Sequence, residues 1–186
     1  MAKKPTPATK VITGLVRFSY AHVFKPVAIV DGADPKYSVA ILIRKNDKET
    51  LKKINAAIEA AKQAGAPLWG GKIPSNLKLP LRDGDEERSD QPEYEGCYFL
   101  NASSTQKPGI IDENKDEIMD TSEFYSGCYG RASLNFFAFN QAGNRGIAVG
   151  LNNLQKLKDG EPLAGRARAE DDFDDEYADD DDDLLG

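Results

Sequence analysis

Two clusters of carboxylates have the residue types and crowding of metal sites. Asp83, Asp85, Glu86 and Glu87 share one short stretch, as in metal-dependent nucleases, where such groups hold divalent ions over a phosphate. Arg82 and Arg88 bracket them, so a solvated acidic loop accounts for the same residues. Asp112, Asn114, Asp116, Asp120 and Glu123 follow calcium-loop spacing at positions 1, 3, 5, 9 and 12. Glu117 stands where that loop needs glycine, and no helix pattern flanks it, which points to a hairpin turn. One histidine, His22, and two cysteines, Cys97 and Cys128, share no CxxC or HxxxH spacing and make a poor zinc set. Phosphate-binding GxxxxGK[ST] and nucleophilic GxSxG motifs are missing. The sequence therefore lends little support to catalysis, and neither cofactor nor metal is expected.

Binding residues are better represented. In Cys128–Asn140 (CYGRASLNFFAFN), Ala132, Leu134, Phe136 and Ala138 form a core face. The alternate face carries Tyr129, Arg131, Ser133, Asn135, Phe137 and Phe139. Aromatic rings on a partly wet strand stack nucleobases, at roughly 1–3 kcal/mol per base, and neighbouring arginines meet phosphates. Phe137 and Phe139 equally suit packing under the helix or a loop, or a subunit interface in a homo-oligomer. A second group lies between Ala66 and Gly96: Trp69, Lys72, Lys78, Arg82 and Arg88, punctuated by glycines and prolines. It reads as an ordered binding loop tracking a nucleic-acid backbone, with Trp69 either exposed to bases or anchoring the loop in the core. Arg17, Tyr20, Lys25, Arg44 and Lys45 extend the same basic surface.

The third group is the end of the chain. Glu170–Asp183 contains eleven Asp/Glu and no Lys or Arg. Removing those eleven from 31 acids leaves 20 against all 24 bases. The net charge of −7 thus averages a body near +4 with a tail of −11, an asymmetry that points to nucleic acid or a charge-reading partner. Asp171, Asp172, Asp174, Asp175, Asp181, Asp182 and Asp183 supply charge, and Phe173, Tyr177, Leu184 and Leu185 supply apolar anchors. The tail either aids solubility, or competes for the basic groove and docks on basic partner proteins.

These groups need a scaffold. Val11–Tyr20 alternates as one strand, with Ile12, Val16, Phe18 and Tyr20 on one face and Gly14 marking a bulge or close approach. His22–Lys36 reads as a connection, and Lys36–Arg44 as a second strand. Leu51, Ile54, Ile58 and Ala61 recur at helical spacing, with Asp47 or Asn46 as N-cap and Gly65 at C′. Cys97–Ser103 is a further strand. Gly109–Ile111 and Glu117–Met119 pair around the turn 112–116. Cys128–Asn140 and Arg145–Leu154 form a hairpin around Gln141-Ala142-Gly143-Asn144. Both cysteines are expected as reduced thiols on strands. Short strands with one helix fit a mainly β fold, a small closed barrel of the OB type, better than a doubly wound sheet. The expected organisation is a disordered lead (1–10), a barrel domain (11–157), a linker (158–169) and a disordered acidic tail (170–186). No run of eighteen apolar residues occurs, so no membrane role is expected.

Several blocks carry a resemblance: VITGLVRFSYAHVFKP (11–26), PKYSVAILIRKNDKET (35–50), LWGGKIPSNLKLPLRDGDEE (68–87), GCYFLNASS (96–104) and FYSGCYGRASLNFFAFN…GIAVGLNNLQKLKDGEPL (124–163). In this order they resemble a family of phage-encoded single-stranded DNA-binding proteins with an OB fold, formerly catalogued as a domain of unknown function. The tail is similar to those of T7-type phage and bacterial single-stranded DNA-binding proteins, which typically end in an aromatic; this one ends Leu184-Leu185-Gly186. The resemblance implies single-stranded DNA as ligand, a place in phage DNA replication or recombination, partner proteins reached through the tail, and the host cytoplasm as location.

Overall fold

The computed structural model describes residues 8–28 and 30–163. Residues 1–7 of the expected lead (1–10), the linker beyond Leu163, the acidic residues 170–183 and the anchors Phe173, Tyr177, Leu184 and Leu185 lie outside the described residues; the end of that lead is ordered, with Lys10 paired to Asn135. The elements in chain order are β1 (Lys10–Ile12), β2 (Val16–Val27), β3 (Lys36–Arg44), α1 (Lys48–Gly65), β4 (Arg82–Asp83), a one-turn α2 (Gly84–Glu87), β5 (Cys97–Ser104), β6 (Gly109–Ile111), β7 (Tyr129–Gln141) and β8 (Asn144–Lys158).

Five of the strands, β2, β3, β5, β8 and β7, close into a ring, the mainly β, OB-type barrel expected from the pattern. The seam is narrow: β5 meets β8 in a parallel pair at Ser103 and Gly150. Elsewhere the ring is antiparallel, and the β7–β8 hairpin is its longest ladder. Phe18, Ile41, Ile43, Leu100, Leu134 and Phe136 fill the interior. β3 occupies the predicted residues, and Val39–Ile43 are buried on both faces. α1 packs chiefly on β7 and closes the barrel with Ile54, Ala57, Ile58 and Ala61.

The first expected strand is two. β1 pairs with β7, and β2 starts again at Val16 against both β7 and β3. Between them Thr13 is buried and bonds Ala132 twice: its N–H donates to the Ala132 carbonyl and its Oγ1 accepts from the Ala132 N–H. The break inverts the expected faces, since Val11 points in and Ile12 lies out. β2 also runs to Val27, through residues expected to be a connection. It does so with register shifts between Ser19 and His22 and again before Val27, irregularities that plain alternation misses. Gly65 ends α1 in ordinary helical backbone, where a Cβ would collide with Ala138. A 3₁₀ turn (Ala66–Trp69) follows, and the left-handed stop is Gly70, at φ 75°. The β7–β8 loop is tighter than predicted: Ala142 (φ 49°) and Gly143 (φ 84°) alone make the turn, the signature of a twisted two-residue hairpin. β8 continues to Lys158, so that residue, the first of the expected linker, belongs to a strand. Cys97 opens β5 and Cys128 sits just before β7; both are buried free thiols, whose burial pushes their titration up.

Asp47 caps α1, accepting from the Thr50 N–H at 3.2 Å, while Thr50 Oγ1 accepts from the Gly14 N–H at 3.0 Å. One buried hydroxyl thus ties the helix start to the break between β1 and β2. Thr50→Val keeps the shape but orphans that amide, and is expected to cost about 1–3 kcal/mol in chemical denaturation.

Candidate nucleic-acid interface

Strand pairing places Arg17 of β2 opposite Tyr129 of β7, and Tyr129 opposite Lys158 of β8. The three side chains form one row, with the Arg17 guanidinium 5.2 Å and the Lys158 ammonium 5.5 Å from the Tyr129 ring centre. Arg17 is held by two carbonyls, with Nε donating to Gly127 at 3.0 Å and Nη2 to Glu161 at 2.9 Å. Arg44 and Lys45 at the end of β3 join this row in a groove of about 590 Å³, which Glu93 and Glu95 also line.

One side of the groove is built by the long connection after α1. It is not a structureless loop but a chain of short pinned turns. Leu42 and Phe99, on the outer faces of β3 and β5, form a second small core with Tyr94 and Cys97. Tyr94 meets Phe99 edge-on at 5.2 Å. Arg82 and Arg88 lie 5.5 and 5.1 Å from the Phe99 ring centre, and Arg82 is paired with Glu87 at 2.6 Å. Lys45 Nζ sits 2.8 Å from both Asp83 and Asp85. Its hydrogen bonds hold the two carboxyls below the usual carboxylate range and raise the lysine in turn. The acidic stretch therefore binds a lysine and its own backbone, and no group able to hold a metal ion occurs among the described residues. Asp112 likewise folds inward, its carboxylate accepting from the N–H groups of Asn114 and Asp116 as expected of a hairpin turn.

A second groove, of about 770 Å³, runs on the other side of β2. Tyr20, His22 and Phe24 line it from the strand, Phe124 and Tyr125 from the segment before β7, and Pro162 and Leu163 from the end of the described chain. Tyr125 Oη lies 3.0 Å from both Asp159 Oδ1 and the Gly160 carbonyl, and accepts from the Gly160 N–H at 3.1 Å. The segment Asp159–Leu163 thus straps down the ground between the two grooves.

The remaining candidates fall elsewhere. Trp69 is buried, and its indole N–H donates to the Phe139 carbonyl; it anchors the connection and offers no open ring. Phe137 is 46 % exposed near the hairpin end, whereas Phe139 is half-buried. The Lys78 main chain pairs with β8, its N–H donating to the Arg145 carbonyl and its carbonyl accepting from the Ile147 N–H, while Nζ donates to Asn144 Oδ1 at 3.0 Å. Arg131 donates to the Thr13 carbonyl at 2.7 Å and so is tied to the β1–β2 break. Lys72 is exposed on the connection. The candidates do not form one surface: Arg17, Arg44 and Tyr129 share the first groove, Tyr20 the second.

The family described as "Enterobacter phage Enc34, ssDNA-binding protein" matches residues 9–185. The chain belongs to this family. Among solved structures, the single-stranded DNA-binding protein of bacteriophage Enc34 in complex with ssDNA is similar, with a TM-score of 0.74 and 28 % identity over 88 % of this chain and 97 % of that one. A curated relative, "Putative protein p50" of Acyrthosiphon pisum secondary endosymbiont phage 1, is 28 % identical over 91 % of this chain and 95 % of its own. The crystal structure of gp2.5, a single-stranded DNA-binding protein of bacteriophage T7, has a TM-score of 0.62 at 14 % identity, covering 90 % of this chain and 99 % of that one; that likeness speaks for the fold alone.

For this member of the family, sequence reasoning missed Lys158, His22, Phe24 and Tyr125. Lys158 was within reach, because Leu154, Lys156 and Lys158 continue the alternation of β8. The second groove was not, since the bulges of β2 create it.

The Lys45 pair makes the connection acid-sensitive. Asp83 and Asp85 have folded values below the ordinary 3.8. Their contribution is complete above that pH and is lost as pH falls below it through the depressed values. Asp85 also accepts from the Gly96 N–H at 3.0 Å. Exchange of the Gly96 amide, compared with barrel amides, is expected to accelerate selectively below pH 3.8 and to be unchanged by mild acid above it.

Proposed function

We propose that this chain is a non-catalytic single-stranded DNA-binding protein with weak sequence preference, acting in phage DNA replication or recombination in the host cytoplasm. The barrel from β1 to β8 (10–158) forms the binding domain, followed by a linker that runs to residue 169 and the acidic tail, 170–186. The observation that carries the reading is the Arg17–Tyr129–Lys158 row, an aromatic ring between two cations on a grooved barrel. Such a row meets a base face and the phosphates beside it without reading base edges. Arg44 extends the charge. The structure of the Enc34 relative with ssDNA supports this ligand.

The tail competes with DNA and recruits replication or recombination proteins. Leu163 lines the second groove, and the seven residues from there to Glu170 span at most about 25 Å. A tether that short keeps eleven acids at high effective concentration beside their own basic groove.

About four phosphate contacts predict that log K falls against log salt with a slope of roughly −3, at about −0.7 per contact for single strands. Gel shifts with unlabelled competitors test the ligand: single strands should displace the probe and duplex should not, and equal affinity for duplex at moderate salt overturns the reading. Deleting 170–186 should tighten binding most at low salt; identical affinity at every salt concentration removes the competition. A tail-less body that binds no DNA at all points instead to an interaction or DNA-mimic module.

A further inference from the structure

We propose that the second groove seats a further nucleobase on the ring of Tyr20, beside the base and phosphates met by the Arg17–Tyr129–Lys158 row; this rests on the single-strand reading above. Tyr20 lies inside β2 with φ at 47°. Left-handed backbone is unfavourable for a bulky L-residue and persists only where the surroundings impose it. Here they do. The Phe18 N–H and carbonyl are both taken, by Cys128 and Gly127, and the Ala21 N–H donates to Ser126 Oγ at 3.0 Å. Between those fixed points the register of β2 slips against β3.

The consequence is a change of face. Alternation from Val16 and Phe18 would turn Tyr20 into the barrel, yet the residue is 44 % exposed and Val23 takes up the inward position. The Tyr20 hydroxyl donates to Gln91 Oε1 at 3.1 Å, which fixes the tilt of the ring.

The chemistry of the groove suits a base and not a phosphate. Among the described residues, no Lys, Arg, Asp or Glu lines it. Its walls are the rings of Tyr20, Phe24, Phe124 and Tyr125, and its volume of about 770 Å³ lies in the range of small-ligand sites. Charge stands just behind the rings: Lys107 lies 5.7 Å from the Phe24 ring centre. Across the strap, Arg17 holds the Glu161 carbonyl, one residue before the lining residue Pro162. A strand crossing the strap therefore meets a cationic groove on one side and an uncharged aromatic one on the other.

The test compares the full-length protein with Tyr20→Gly and Tyr20→Trp, using labelled oligothymidylate and an abasic strand of equal length. Tyr20→Gly relieves the backbone and removes the ring. It should melt no lower than the parent, bind oligothymidylate roughly tenfold more weakly, and bind the abasic strand unchanged. Tyr20→Trp should retain oligothymidylate binding. Parent-like affinity of Tyr20→Gly for oligothymidylate overturns the base seat while leaving the single-strand reading intact. Equal losses on both strands overturn it too, because the ring would then be serving the backbone path. A parent protein that ignores oligothymidylate removes both proposals.

Discussion

β3 is apolar on both faces, and a strand sends successive side chains to opposite sides. Val39, Ile41 and Ile43 go to the barrel interior, but Leu42 also has to leave water. A barrel alone cannot do that, because its outer surface is wet. The connection after α1 therefore folds back over β3 and β5, bringing Tyr94 onto Phe99 and the guanidinium groups of Arg82 and Arg88 above it. The charged groove is the margin of that cover. Its position follows from the need to bury a strand twice: Leu42 and Cys97 of that second core line it beside Arg17, Arg44, Lys45 and Lys158.

Elements whose pattern is local were legible in the sequence. β3, α1 with its Asp47 cap, the strand from Cys97 and the β7–β8 hairpin each follow from a period of two or 3.6 residues, a cap, or a turn. The failures lie where distant partners decide. Nothing near Gly14 announces that Thr50 will take its amide, and nothing near His22 announces that Ser126 and Cys128 will pin the strand beside it. Gly65 was read as a stop for its backbone freedom, when the demand there was for space against Ala138.

The site divides in the same way. Arg17, Arg44 and Tyr129 were legible as polar or aromatic residues on alternating strands. Arg82 and Arg88 looked equally suited by composition, but Phe99 and Glu87 engage them. Trp69 went to the core because the end of α1 and β7 leave a space that an indole fills with its N–H satisfied. Charge and ring type name candidates; only packing says which are free to meet a ligand.

The register of β1 has a kinetic consequence. Lys10 pairs with Asn135, and Val16 with Gly130. The barrel cannot close until its seventh strand exists, which at roughly 5–20 residues per second of synthesis is on the order of ten seconds after the first emerges. During that interval β2, β3 and β5 can zip together, but the outer edge of β2 stays unpaired, and long-range closure is slow in any case. Completion of the ring is a late event on the ribosome, timed by the arrival of β7 and then of β8, which joins it to β5.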